Sequence, residues 1–322
     1  MLPTAPPPVI DAATEVATET ATEAATEAPT EAAHTAQWPM PPAVRASVGL
    51  HAAAAGAALL WPAAWPWAAG AVLLNHVALS AAGLWPRCAL LGPNIRRLPA
   101  AAAARGEVAL TIDDGPDPEV TPAVLDLLAA QGAGGTKATF FCIAERARAS
   151  PALMRRIVAA GHSVQNHSLQ HRHHFSLLGP RGFEREIGTA QAVLADITGV
   201  RPHCFRAPAG LRNPLLDPVL HRLNLHLVSW TRRGFDTRSA DPAAVLQRLT
   251  KGLTLGQGAG SILLLHDGHA RRTPQGRPVL LDVLPELLHQ CRAAGLRPVT
   301  LADALPPRHA CNHPHPRDRP EA

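Results

Sequence analysis

The chain is short of the features that staple a small secreted scaffold. Its five cysteines (Cys88, Cys142, Cys204, Cys291 and Cys311) are odd in number and lack paired spacing, which excludes a disulfide framework. Cys142 and Cys204 fall in apolar runs and read as buried thiols. Aromatic residues make up 4% of the chain, tyrosine is absent, and of six tryptophans only Trp230 lies beyond residue 85. No Asp, Glu, Lys or Arg occurs between Ala46 and Pro86. No nucleic-acid-binding motif is present, and no obligate protein partner is evident. The basic balance, a formal +5, therefore reads mainly as scattered solvated charge. The clusters Arg172-His173-His174, Arg232-Arg233 and Arg271-Arg272 could also face anionic lipid headgroups or phosphate-bearing glycans.

What is there divides into four pieces. Residues 1–43 repeat Thr-Glu every four positions, from Thr14-Glu15 to Thr30-Glu31. Like charges four apart repel on a helix and nothing here could form a core, so this is a disordered or weakly helical tail. Met40 offers an alternative start of a shorter chain. Residues 44–91 hold two uncharged apolar segments, Val44 to Leu60 and Trp67 to Leu84, each approaching the roughly 20 residues that cross a bilayer. Between them Trp61-Pro62-Ala63-Ala64-Trp65-Pro66-Trp67 reads as a tight turn with interfacial aromatics. A membrane-associated helical hairpin is expected, the alternative being Ala-rich soluble helices packed on the following domain. An acidic tail before it and a second apolar segment after it argue against a cleaved signal. Arg45, Arg87, Arg96, Arg97 and Arg105 flank the outer ends. By the positive-inside rule this would place both termini on the cytoplasmic side of a bacterial-type inner membrane; the alternative is that the first segment does not span and the domain is exported. Residues 306–322 read as a disordered tail.

The stretch 106–305 alternates apolar runs with helical segments. Thr139 to Ile143, His162 to Val164, Leu225 to Trp230 and Ile262 to Leu265 are strand-like. Thr121 to Gln131, Ala152 to Ala160, Glu184 to Thr198 and Leu281 to Ala294 are helical. Such alternation predicts an α/β fold with a parallel sheet and crossover helices. Functional residues drawn from strand ends far apart in sequence predict a barrel with its chemistry at the C-terminal face.

The first of those ends is Thr111-Ile112-Asp113-Asp114-Gly115-Pro116. Alternation along a strand would point its two carboxylates in different directions, so that one can hold a metal while the other stays free as a base. Taken alone, the run fits an ordinary solvated acidic turn equally well. His167-Ser168-Leu169-Gln170-His171 adds two imidazoles four apart, which a helix or tight turn brings to one side. Two His and one Asp make a facial set with positions left open for water and substrate, a catalytic type of metal site. Further on come Arg206-Ala207-Pro208-Ala209-Gly210 and Leu264-Leu265-His266-Asp267.

Together these motifs resemble those of the polysaccharide deacetylase family (NodB-homology domain, carbohydrate esterase family 4). Thr111 to Pro116 is similar to its first motif with Ile112 in place of Phe. His167, Ser168 and His171 match the second, Arg206, Pro208 and Gly210 the third, and Leu264 and His266 the fifth. The resemblance covers residues 106–305 and implies a distorted (β/α) barrel with fewer than eight regular units. It implies a divalent metal on Asp114, His167 and His171, zinc first with cobalt, nickel or manganese as alternatives. Asp113 becomes the general base, Arg206 the cation that orients it, and His266 the acid that protonates the departing amine. Leu264 packs on the acyl methyl, and the Pro208-Ala209-Gly210 loop contacts substrate, with the Ala209 N–H on the oxyanion. Ala209 stands where many members carry an aromatic residue. The fourth motif is only loosely met by Trp230 to Asp236. Asp236 is either the partner that tunes His266 or a plain loop acid.

The implied activity is removal of an N-acetyl group from amino sugars of a glycan. Two other readings stay open. One is a deacylase or deformylase of a lipid-linked amino sugar at the cytoplasmic face. The other is a catalytically idle, membrane-anchored glycan-binding module.

Overall fold

The computed structural model describes residues 37–131, 135–254 and 257–308. The Thr-Glu repeat, Cys311 and the expected C-terminal tail past residue 308 lie outside them.

Two apolar helices come first, α1 (Pro42–Leu60) and α2 (Trp65–Leu84). Each has proline in its first turn, where the missing N–H costs nothing. The expected turn over Trp61–Trp67 is shorter, because the Pro62–Ala64 3₁₀ turn runs straight into α2 at Trp65. Polar groups face one another between the helices. Asn75 Nδ2 donates to Ser47 Oγ at 2.8 Å, and the Nε2 atoms of His51 and His76 lie 3.2 Å apart. The outward faces are apolar and bare: Leu60 is 85% exposed and Trp67 82%. Both helices are long and apolar enough, by length and composition, to cross a membrane. The pair is not laid along the domain; its base is seated on it. There the Arg212 N–H donates to Gly83 O (3.1 Å) and Ser229 Oγ to Pro86 O (2.7 Å).

After the short α3 (Ala100–Ala104) the chain alternates strand and helix. Strand β1 (Glu107–Gly115) leads to α4 (Val120–Ala129) and β2 (Thr139–Cys142). Next come α5 (Ala144–Ala149), α6 (Pro151–Ala159), β3 (Ser163–Asn166), α7 (Pro180–Thr198) and β4 (Cys204–Phe205). The second half runs α8 (Leu216–Arg222), β5 (His226–Leu227), β6 (Arg232–Arg233), α9 (Pro242–Thr250) and β7 (Ile262–His266). It closes with α10 (Val279–Ala293), β8 (Arg297–Val299) and α11 (Leu301–Ala304).

The strands form one parallel sheet in the order β5-β4-β3-β2-β1-β7-β6, with β8 beside the start of β1. It curls into a half-barrel rather than eight regular units. Residues 95–97 stand between its edges, Ile95 bridging to Val228 and Arg97 to Ser261.

Period-two alternation on β1 sorts the core. Val108, Leu110 and Ile112 pack under the helices with Val124, Leu128, Leu284 and Leu288. Ala109 faces the concave side with Phe141, Trp230, Ile262 and Leu264. Thr111 and Asp113 share the parity of Ala109 and so face inward. Leu264 and His266 do the same from β7.

Candidate active site

Register gathers the polar residues. Asp113 on β1 is level with Phe141 on β2 and His266 on β7. His167 directly follows β3 and Arg206 directly follows β4, whose Phe205 is paired with Asn166. All four therefore sit at the C-terminal ends of parallel strands, around a cavity of about 460 Å³. Asp113, Asp114, His167, His171, Ala209, Gly210, Leu264 and His266 line it. Pro208 does not; it is buried within the loop.

The carboxylates do not diverge as strand alternation predicts. The register slips between Asp113 and Gly115, and Asp114 takes φ 72°, outside strand geometry. This bulge turns Asp114 off the helix side, where parity with Ile112 would bury it, and back into the cavity. Both acids then meet His167, whose Nε2 lies 3.8 Å from Asp113 Oδ2 and 3.2 Å from Asp114 Oδ1. His171 Nε2 also lies 3.2 Å from Asp114 Oδ1. The two imidazoles reach one side through a tight turn, not a helix: Ser168 and His171 both have positive φ. The His171 N–H closes the turn on Ser168 Oγ at 2.9 Å.

Asp113 has two distinct oxygens. Oδ1 accepts from Arg206 at 2.6 Å, while Oδ2 looks toward His167. Arg206 is buried and fully engaged. It also donates to Thr111 Oγ1 (2.9 Å), Val228 O (3.2 Å) and Ser229 O (2.8 Å). Its guanidinium lies over the Phe141 ring at 4.1 Å. Burial pushes the guanidinium down and Asp113 pushes it back up.

Asp236 is completely buried and brackets His266, accepting from the ring Nδ1 at 2.9 Å and from the backbone N–H at 2.7 Å. Its place is thus beside the imidazole and not in a solvated loop. Burial disfavours the charged ring, but Asp236, with Asp114 and Asp113 behind it, outweighs burial and the His266 pKa rises to about 9. His171 goes the other way, to about 4, through burial and the neighbouring His167.

Asp114, His167 and His171 fit a divalent cation. Their ligand atoms all lie within 4.8 Å of one another. Asp114 Oδ1 is buried without a hydrogen-bond partner. His167 Nδ1 donates to the Arg206 carbonyl at 2.8 Å, which leaves Nε2 as the free lone pair turned toward that oxygen. Burial opposes the Asp114 charge, yet His167 and His269 hold its pKa well below the carboxylate range.

His269 and Arg146 went unrecognised in the sequence. His269 Nδ1 donates to Asp114 Oδ2 at 3.0 Å, and its Nε2 accepts from Arg146 at 3.3 Å. Arg146 also donates to the Asp114 carbonyl at 2.8 Å. A second imidazole three residues after His266 was the available signal for His269; Arg146 had none, lying on α5 far from any motif. Gly268 permits the approach, since a Cβ there would stand 2.1 Å from the Arg146 guanidinium and 2.3 Å from Asp114 O. Asp267, directly after β7, is buried and accepts from Thr121 Oγ1 at 2.5 Å, tying β7 to α4.

Known proteins share this sequence and architecture. The sequence model of the family described as polysaccharide deacetylase matches residues 101–228. A peptidoglycan-N-acetylglucosamine deacetylase of Bacillus cereus is 31% identical over 202 residues, 63% of this chain and 89% of that protein. A chitooligosaccharide deacetylase of Sinorhizobium fredii is 34% identical over 175 residues, 54% of this chain and 78% of that protein. The crystal structure of a peptidoglycan N-acetylglucosamine deacetylase bound to a naphthalenyl N-oxidanyl-benzamide superposes with a TM-score of 0.57 at 27% identity. That match covers 66% of this chain and 92% of the other. By this extent of likeness the chain belongs to the polysaccharide deacetylase family.

Proposed function

We propose that the chain is a metal-dependent hydrolase that removes the N-acetyl group from an amino sugar of a glycan. The observation that carries this is the Asp113 carboxylate. One oxygen is held by Arg206 and the other looks to the Asp114-His167-His171 set, with His266 level with it on the next strand. The relatives named as N-acetylglucosamine and chitooligosaccharide deacetylases support the acetyl group and the sugar.

A divalent ion on Asp114, His167 and His171 would polarise the acetyl carbonyl and lower the pKa of a water. Zinc suits the His/Asp set; cobalt, nickel or manganese also fit it. Asp113 Oδ2 takes the proton from the attacking water. Arg206 fixes that carboxylate in place by its hydrogen bond to Oδ1. The Ala209 N–H serves the oxygen on which charge develops. His266, kept protonated by Asp236, gives its proton to the amine as the C–N bond breaks. Leu264, buried in the cavity wall, packs on the acetyl methyl. Residues 42–84 anchor the domain to a bacterial-type inner membrane. A cavity wall that holds base, acid and metal ligands together has no use in an idle glycan-binding module.

The test is acetate release from peptidoglycan and chitin oligomers by the full chain, with chelated protein and Asp113→Asn as controls. The expected result is metal-dependent release that falls by about 10²–10⁴ in Asp113→Asn. Equal release by Asp113→Asn would remove Asp113 as the base. No release by folded, metal-loaded protein would shift the acyl group to formyl or a longer chain.

A further inference from the structure

A second cavity, of about 520 Å³, adjoins the first through Trp230, which lines both. Arg87, Arg96 and Arg97 line it with Asn94, Ile95 and Thr231, and no acid is among them. Each arginine spends one contact on a backbone carbonyl: Arg87 on Thr231 O (3.2 Å), Arg96 on Arg87 O (3.3 Å) and Arg97 on Ala259 O (2.6 Å). A guanidinium has five N–H donors, so most remain for a ligand. Among the described residues none of the three is ion-paired, whereas other surface arginines such as Arg156 and Arg272 have carboxylate partners. Arg233 faces the catalytic cavity from the other side of the seam. Its guanidinium stacks 5.4 Å from the Trp230 ring and 5.0 Å from the Phe235 ring, and its buried Nε has no partner. Three exposed guanidiniums without carboxylate partners thus line one cavity that Arg233 borders across Trp230, a concentration of positive charge and N–H donors that complements an anion.

The position narrows the anion. Arg87 stands three residues past the end of α2, and Pro86 touches the active-site loop: a Cβ on Gly210, whose φ is 76°, would lie 2.6 Å from Pro86 and 2.7 Å from Trp230. The arginine cavity thus lies where the bare apolar hairpin meets the catalytic domain. An anion with an apolar tail would meet both surfaces at once.

We propose that Arg87, Arg96 and Arg97 bind a phosphate that joins the amino sugar to a lipid chain, leaving the sugar's N-acyl group in the catalytic cavity past Trp230. This rests on the deacetylase reading and makes its preferred substrate a phosphate-linked glycolipid.

Two measurements on the detergent-solubilised full chain test it. The first is deacetylation of N-acetylglucosamine carried on a short prenyl phosphate, against chitotriose, which has no phosphate. Wild type is expected to favour the prenyl phosphate substrate in kcat/KM. Arg87→Gln/Arg96→Gln is expected to lose about tenfold or more of that preference through KM, and Arg96→Lys, which keeps the charge, to retain most of it. An equal loss on both substrates, or no preference in wild type, would overturn the proposal. The second is binding of the prenyl phosphate alone, which the double variant should weaken by a similar factor. If both substrates resist turnover while this binding and its loss persist, the phosphate site stands and the hydrolase reading fails. Phosphatidylcholine vesicles with and without phosphatidylglycerol settle the source. If the variant loses only vesicle binding and keeps prenyl phosphate binding, the arginines read bilayer headgroups and the substrate site is overturned.

Discussion

At the scale of single residues, the site depends on partners that fix protons. Asp236, with Asp114 and Asp113 behind it, holds the His266 pKa at about 9 against burial. The sign is that of a raised imidazole. The pair's stabilisation is complete below about 6.5, the unfolded value, and is lost as pH rises through about 9. A deacetylase using this ring as its acid keeps working up to the same pH. In Asp236→Asn the basic limb of the pH–rate profile should therefore fall by more than a unit, and an unmoved limb would rule His266 out as the acid. His269 acts on Asp114, the proposed metal ligand, through its second oxygen. Outer partners of this kind typically contribute 10–100-fold in metal affinity, so His269→Ala should weaken zinc binding by about that factor in calorimetry. Unchanged affinity would make the contact incidental. His269 was a plain His in the sequence because nothing local says that the β7 turn returns to the β1 bulge.

At the scale of elements, the decisive one is the end of β1. Alternation assigned Asp113 to the concave side and Asp114 to the helix side; the bulge reversed the second. What holds Asp114 in that backbone is contact from β7 and α5: the Asp267 N–H donates to Asp113 O (3.1 Å) and Arg146 to Asp114 O. Gly268 leaves the room for it. Gly268→Ala should cost about 1–3 kcal/mol in denaturant unfolding, the usual penalty for an inserted methyl, and should weaken metal binding in step. Stability lost with metal affinity intact would place the strain elsewhere than Asp114. The strands themselves read easily from the sequence, since buried parallel strands are near-continuous apolar runs. The two-residue strands β4, β5 and β6 were less legible. So short a run carries no period, and their pairing comes from neighbours.

At the scale of the whole molecule, an α/β domain is joined to two bare apolar helices through an arginine-rich segment. Leu59, Leu60, Trp61, Trp65 and Trp67 are all more than 60% exposed, far more contiguous apolar surface than a water-facing hairpin carries. The full chain is expected to sediment with membranes and to resist alkaline carbonate. Recovery in the soluble fraction would mean that the hairpin is covered by protein instead. The polar pairs Ser47–Asn75 and His51–His76 suit such a setting, where interhelical hydrogen bonds replace the absent water.

The order of apolar runs, helical segments and polar motifs along the chain determined the fold class, the hairpin and the residues Asp113, Asp114, His167, Arg206, Leu264 and His266. Those signals are local: period, composition and spacing survive without knowledge of what packs on what. Only the tertiary structure decided that both carboxylates face one cavity, that Asp236 lies under His266 and that Pro208 is buried within its loop. It alone brought His269 and Arg146 to Asp114 and gathered Arg87, Arg96 and Arg97 beside Trp230. Each of these is a contact between segments far apart in sequence. Their geometry is set by strand register and by one bulge, and neither is written in the residues that meet.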